Sequence, residues 1–424
     1  MSNPPAHGGN FNRKIAAREF YSEFRGHRVE HLESLVYHLR NNCDLLGTSD
    51  RNDTTIGSNT AATATSAASL SSSIQTNIIW TAGDSSLDNK YWFHNTVPAV
   101  STYRQVLQPP ISKPDVTYWL NQTILSSNAQ QQQSSPLEPL SPSSVTCAAS
   151  NEPQQQRYVA VNAAVEASTL NIRTMQLLPQ DQFICDNIQE DDILIVSIGG
   201  NDVALLPLPC TVASILCLVM VCPTICIERG CVYGTIPIDD YCCGCGPSLW
   251  SCLCGCPPCL GYFRHLFGYR AQKYIEGLTT KTKPSKIVVC MIYYPDEQND
   301  VATWANSTLQ ILGYNRNPNK LQAFIRKIYS DVIRTIHIKD TEMIYVPLYR
   351  ILNGKNTNDY VARVEPSVMG GKKMAEYIYA ILFPASMSSS PSPVTPSAPS
   401  YQRYTSATTA THVIPSSSLI QDRD

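Results

Sequence analysis

Five short runs dominated by apolar residues punctuate the chain, at 78–82, 158–164, 193–198, 286–293 and 343–348. Runs of this length without polar alternation read as strands covered on both faces, as in a parallel sheet between helical layers. The segments between them carry a different period. Val29, Leu32, Val36 and Leu39 recur at helical spacing, with Glu33 and Arg40 off the stripe, and predict an amphipathic helix over 28–46. Val116, Leu120 and Ile124 predict a second helix over 115–124, and 262–278 a third. Leu321, Phe324, Ile325, Ile328, Val332 and Ile336 form the strongest stripe, and a last helix is expected over about 371–382. Strands alternating with helices predict an α/β fold with a mainly parallel five-stranded sheet.

Other stretches have no period. Residues 1–27 read as a loose polar lead, 48–75 and 127–157 as Ser-, Thr-, Asn- or Gln-rich inserts, and 384–424 as a Ser/Pro/Thr tail. That leaves one interrupted domain over 28–383. Hydrophobic residues make up 43% of the 424, enough for a large core, while charged residues reach only 16%, below the usual quarter. A net charge of −2 without a basic tract argues against a nucleic-acid surface. The N-terminal residues lack the apolar stretch of a secretion signal, so an intracellular protein, cytoplasmic or membrane-associated, is expected. The sequons at Asn52, Asn121 and Asn306 then read as chance.

Chemistry is suggested where two strands end. The first run closes on Gly83-Asp84-Ser85 and the third on Gly199-Gly200-Asn201-Asp202. Ligand crevices in open parallel sheets form outside the C-terminal strand ends, so the two turns should converge. A serine on a tight strand-to-helix turn is exposed for attack, and its own amide can serve an oxyanion. Taken alone, Gly83-Asp84-Ser85 reads first as an ordinary capped turn, and the second turn too can be a plain one; the pair favours a site.

Gly83-Asp84-Ser85-Ser86-Leu87-Asp88 resembles the first block of the SGNH (GDSL-type) hydrolases, and Gly199-Gly200-Asn201-Asp202 resembles their GxND block. Asn162-Ala163-Ala164-Val165-Glu166-Ala167 stands where the second block belongs. The likeness covers roughly 77–383, and the stretches from Gly83 to Phe93 and from Cys290 to Glu297 are similar to those of eukaryotic members. The resemblance implies a flavodoxin-like three-layer α/β/α fold and ester hydrolysis through an acyl-serine intermediate. Carried over, Ser85 is the nucleophile, on a site loop with Gly83, Asp84 and Asp202. The oxyanion hole draws on the amides of Ser85 and Ala167, the Gly199 turn and the Asn201 side chain.

Two positions depart from the pattern. Ala167 stands where the second block usually has glycine. The family ends on DxxH before the final helix, whereas here Ala362 replaces the Asp and Glu365 the His. Ser85 needs a base within hydrogen-bond reach, and a carboxylate near its ordinary pKa of about 4.3 is a weak one unless burial raises it. Asp359 is a second carboxylate close in sequence. Three readings stay open: Glu365 is the base; a histidine from elsewhere, His265 or His94, fills the place; or the domain binds without hydrolysing. For the histidines the plain alternatives are a helix residue beside Phe263 and Phe267, and a loop residue after Tyr91-Trp92-Phe93.

Residues 203–260 form an apolar, cysteine-rich insert. Residues 203–227 approach the length of a membrane span, but Pro207, Pro209 and Pro223 interrupt them. A buried helix, a lid touching a membrane surface and a true span are the alternatives. Twelve of the 16 cysteines fall between Cys210 and Cys259. Cys242, Cys245, Cys256 and Cys259 have zinc-type spacing; S-acylation and a loop of reduced thiols are the rivals. Apart from that structural zinc no cofactor is expected. The expected substrate is a small-molecule or lipid ester, set against a binding protein on the same fold or a membrane-associated interaction protein. Oligomeric state stays open.

Overall fold

Alternate residues of each central strand point to opposite sides, and here both sides are buried. The computed structural model describes residues 14–41, 76–134, 157–205, 209–229, 262–299 and 303–384. Its sheet comprises β1 (Thr76–Gly83), β2 (Arg157–Asn162), β3 (Ile193–Ser197), β4 (Lys286–Met291) and β5 (Glu342–Pro347), all parallel, in the order β2-β1-β3-β4-β5. This is the flavodoxin-like doubly wound order, whose switch point lies between β1 and β3.

Ile78, Trp80 and Ala82 of β1, with Leu194 and Val196 of β3, join one core. It takes in helices α1 (Val29–Asn41), α4 (Pro179–Asn187), α7 (Ala271–Leu278) and α9 (Pro318–Asp331). Ile79, Ile193 and Ile195 face the other way, against α2 (Val116–Ser134) and α10 (Val368–Leu382). The short helices α3 (Leu170–Met175), α5 (Gly200–Ala204), α6 (Pro209–Leu216) and α8 (Ala305–Ile311) lie toward the C-terminal strand ends in sequence.

Several expectations need correction. Of the segment read as a loose lead, residues 14–27 are folded: Ile15–Ala16 pairs with Leu107–Gln108, and Ile15, Ala17 and Phe20 are buried. His27 stacks on Phe20, and its Nδ1 lies 2.8 Å from the Phe20 carbonyl. α2 continues to Ser134, eight residues into the expected Gln-rich insert, because Gln and Ala extend a solvated helix at little cost. Residues 209–229 form no single helix. α6 gives way to a wider-wound turn over Cys217–Val221, and a separate helix covers Thr224–Arg229. Ile215, Leu218 and Ile227 face the core, whereas Met220 (77% exposed), Val221 (70%) and Ile225 (53%) face outward. Among the described residues no helix is long and apolar enough to cross a membrane. The inserts at 48–75 and 135–156, residues 230–261 with Cys242, Cys245, Cys256 and Cys259, and the tail from 385 lie outside the described residues.

Candidate active site

Gly83 ends β1 with φ +127°, and a Cβ there would stand 1.9 Å from the Ser197 carbonyl oxygen. Only glycine lets the first turn approach β3 so closely. Asp84 then fastens the two strand ends together. Its amide donates to Ser197 O at 3.0 Å, its Oδ1 accepts from the Ser86 amide at 3.1 Å, and its Oδ2 accepts from the Gly199 amide at 3.2 Å. Burial pushes the Asp84 carboxyl up, while its bonds to Ser86 draw it down. Gly199 takes φ +109°, and a Cβ there would lie 2.6 Å from the Phe267 ring. These contacts bring Ser85 and Asn201 to neighbouring strand ends.

The loop after β2 closes the third side. The Val165 amide donates to Gly83 O at 3.0 Å and the Ser168 hydroxyl to the same oxygen at 3.1 Å. Asn201 Nδ2 donates to Ser168 O at 3.0 Å, which uses one of its two N–H groups. Ala167 has φ +56°, the left-handed region that costs an L-residue roughly 1–2 kcal/mol. The geometry explains why a glycine would suit the position. The amides of Ser85 and Ala167 donate to no described residue.

Glu365 arrives on a small hairpin, Tyr360–Val361 against Glu365–Pro366, whose turn places Ala362 at φ +50° and Arg363 at φ +72°. That backbone is held from several sides. Arg363 donates to the Asp296 carbonyl and to Oδ1 of Asn306 and Asn315, and the Asp296 amide returns a bond to Arg363 O at 2.8 Å. Tyr293 donates to Val364 O at 2.8 Å and Asn89 to Pro366 O at 3.0 Å, so both neighbours of Glu365 are pinned. The outcome is a hydrogen bond from Ser85 Oγ to Glu365 Oε1 at 3.2 Å.

Around this pair lies a buried charged cluster that the sequence did not single out. Lys90, 2% exposed, donates to both Asp88 oxygens at 2.6 and 2.7 Å. Asp88 also accepts from the Glu166 amide and from Asn162 Nδ2, each at 3.1 Å. Asn162 reaches Asp115 at 3.2 Å. Burial raises the Glu365 carboxyl far above its ordinary range, and the charges of Asp84 and Asp88 raise it further against the opposing Ser85 bond. Glu166 is raised too, by burial and then by the charge on Glu365. The two carboxyls titrate as a coupled pair, each held above the ordinary carboxylate range by burial. One oxygen of each, Oε2, is buried without a hydrogen-bond partner. A lysine two residues from an aspartate inside the Tyr91-Trp92-Phe93 neighbourhood was the one sequence signal for this cluster.

The remaining candidates fall elsewhere. Asp359 is buried but committed to Lys373 at 2.7 and 2.8 Å, and its hydrogen bonds do not involve Ser85. His265 is buried and stacks on Tyr269 at 5.1 Å, and His94 is exposed. Neither lines the cavity beside Ser85. The Gly199 amide serves Asp84, and Asp202 caps α3 by accepting from the Leu170 and Asn171 amides at 2.8 and 3.0 Å. Asn121 is buried against Ala160, so that sequon is closed to modification.

A cavity of about 90 Å³ opens on the Ser85–Glu365 pair. Asp84, Ser85, Ser86, Asn201 and Glu365 are among the residues that line it. Most of the others are apolar, with Val203, Ala204, Phe267, Ile292, Leu309, Leu312, Leu321, Phe324, Ile325 and Val364, and Trp304 also lines it. The described residues hold no cluster of three or more metal-ligating groups. What the arrangement offers is a hydroxyl, a carboxylate of raised pKa, unbonded amides and an apolar recess.

No family model matches the chain, and no curated protein matches it. Among solved structures it is similar to a carbohydrate esterase of family 3 from Talaromyces cellulolyticus, at 10% identity and TM-score 0.30, covering 74% of this chain and 100% of that one. It is also similar to an extracellular lipase from Streptomyces rimosus, at 8% identity and TM-score 0.30, covering 72% and 99%. A family 3 carbohydrate esterase from Clostridium thermocellum follows at 13% identity and TM-score 0.25, covering 74% and 98%. Likenesses at this level carry no argument about residues or reaction. The α/β fold rests on the strand order itself.

Proposed function

We propose that the chain is a serine hydrolase of small-molecule esters, of the SGNH type, with Ser85 as nucleophile and Glu365 as general base. The Ser85–Glu365 hydrogen bond carries this reading. Glu365 takes the hydroxyl proton as Ser85 Oγ attacks the ester carbonyl carbon. The oxyanion draws on the Ser85 and Ala167 amides and the second N–H of Asn201. As the tetrahedral intermediate collapses, the carbon–oxygen bond to the alcohol breaks and Glu365 returns the proton to the leaving alkoxide. Water then gives a proton to Glu365 and attacks the acyl-serine carbonyl, and the acid departs as Ser85 recovers its proton. A base works best when its pKa lies near the working pH, and burial moves Glu365 in that direction. Steady-state hydrolysis of aryl esters by the full chain, lost in Ser85→Ala, tests the proposal; equal turnover by the two proteins would refute it.

A further inference from the structure

The cavity beside Ser85 is lined mostly by apolar side chains, and this bears on which ester it takes. Apart from Asp84, Ser85, Ser86, Asn201, Tyr293, Trp304 and Glu365, the lining side chains, among them Val203, Phe267, Leu309, Leu312, Phe324 and Ile325, offer no hydrogen bond, and the Tyr293 hydroxyl is already given to Val364 O. A hydroxylated arm of a substrate would lose its water there without replacement. An aliphatic arm gains by burial, about three- to fourfold in affinity per methylene.

The size of the space sets a length. A water molecule needs roughly 10–15 Å³ of such a cavity, so the 90 Å³ present accepts about six to nine groups of that size, and a methylene is comparable. The walls come from rigid elements. Phe324 and Ile325 lie in α9, Leu309 in α8, and Phe267 in the helix running into α7. The recess is therefore formed before any ligand arrives.

We propose that this cavity is a binding site for an aliphatic chain of medium length, the apolar arm of the ester cleaved at Ser85. The assignment rests on the hydrolase reading for the word ester but not for the word aliphatic, and the experiment separates the two. Hydrolysis of p-nitrophenyl esters from acetate to dodecanoate is measured with the full chain, alongside calorimetric binding of octanoate to wild type and to Ser85→Ala. The kcat/KM should climb about 10³-fold from acetate to octanoate and fall beyond about ten carbons. Octanoate should bind both proteins, and Leu312→Trp should cut both the octanoate-to-acetate preference and octanoate binding at least tenfold. If that variant does not fold, the wild-type series and the Ser85→Ala titration decide. Ser85-dependent hydrolysis with a flat length profile and no octanoate binding overturns the aliphatic site and leaves the hydrolase. Octanoate binding without hydrolysis keeps the site and removes the hydrolase. Neither binding nor hydrolysis removes both.

Discussion

Ser85 Oγ donates to Glu365 Oε1 at 3.2 Å across 280 positions of sequence. The contact exists because two independent devices meet: the Gly83 turn that presses Ser85 against β3, and the Arg363-anchored hairpin that carries Glu365. A carboxylate occupies the place where the resemblance leads one to expect a histidine. Its burial supplies what histidine has by nature, a proton affinity closer to neutrality.

Replacing Glu365 by Gln keeps the shape and removes the proposed base. The expected loss is about 10²–10⁴-fold in kcat with little change in KM. The pH profile is the sharper readout. The proposed reaction needs Glu365 deprotonated, so kcat/KM should rise with pH, along a limb displaced well to the alkaline side of the usual carboxylate value of about 4.3. Because Glu166 titrates with it, the limb belongs to the pair. In Glu365→Gln that limb should vanish.

Asn201→Ala tests the oxyanion assignment. Loss of one such donor costs about 10²–10³-fold in kcat, with KM nearly unchanged. The side chain also bonds Ser168 O, so a thermal melt is needed beside the kinetics. A melting temperature within a few degrees of wild type, with kcat reduced, separates the catalytic contribution from the structural one.

Buried carboxyls give the fold an acid-side preference. Burial pushes Asp115 from 3.8 up to about 7 and Asp202 from 3.8 up to about 6. In the folded state these groups keep protons that the unfolded chain releases. Their contribution is full below about pH 4 and is lost as pH rises through 6 and 7, with Glu365 extending the loss upward. Stability should fall by an order of a few kcal/mol across that window, lowering the melting temperature by about 5–10 °C between pH 5 and pH 8 at constant ionic strength. Asp115→Asn should flatten the curve between about pH 4 and pH 7.

Gly83→Ala probes the turn. The added Cβ meets Ser197 O at 1.9 Å in a backbone with φ +127°, so β1 and β3 must part locally. A destabilisation of about 2–4 kcal/mol is expected by denaturant titration. Hydrolysis should fall further than stability, because the same shift moves Ser85 away from Glu365.

The sheet was legible because its strands are dense enough to show through noise. Ile193–Ser197 is buried at every position, and hydropathy reports that directly. The two glycine turns were legible for a related reason, since each sits where a strand must stop. Glu365 could be named but not placed. Its hairpin depends on Ala362 and Arg363 at positive φ, a conformation their side chains do not advertise, stabilised by Arg363 contacts 48 to 67 residues away. Lys90 and Glu166 stayed hidden because a charge buried by its partners looks, in sequence, like a charge in solvent. Residues 14–27 escaped notice because their buried positions, Ile15, Ala17 and Phe20, are too few to make a period.

Labelling of Ser85 by a fluorophosphonate, followed by peptide mass spectrometry across pH, bears most directly on the Ser85–Glu365 pair. The probe should modify Ser85 alone among the serines of the folded chain. Its rate should rise as Glu365 deprotonates and lose that pH dependence in Glu365→Gln. A folded wild-type protein whose Ser85 stays unmodified at every pH, or is modified at the same rate with and without Glu365, would contradict the assignment.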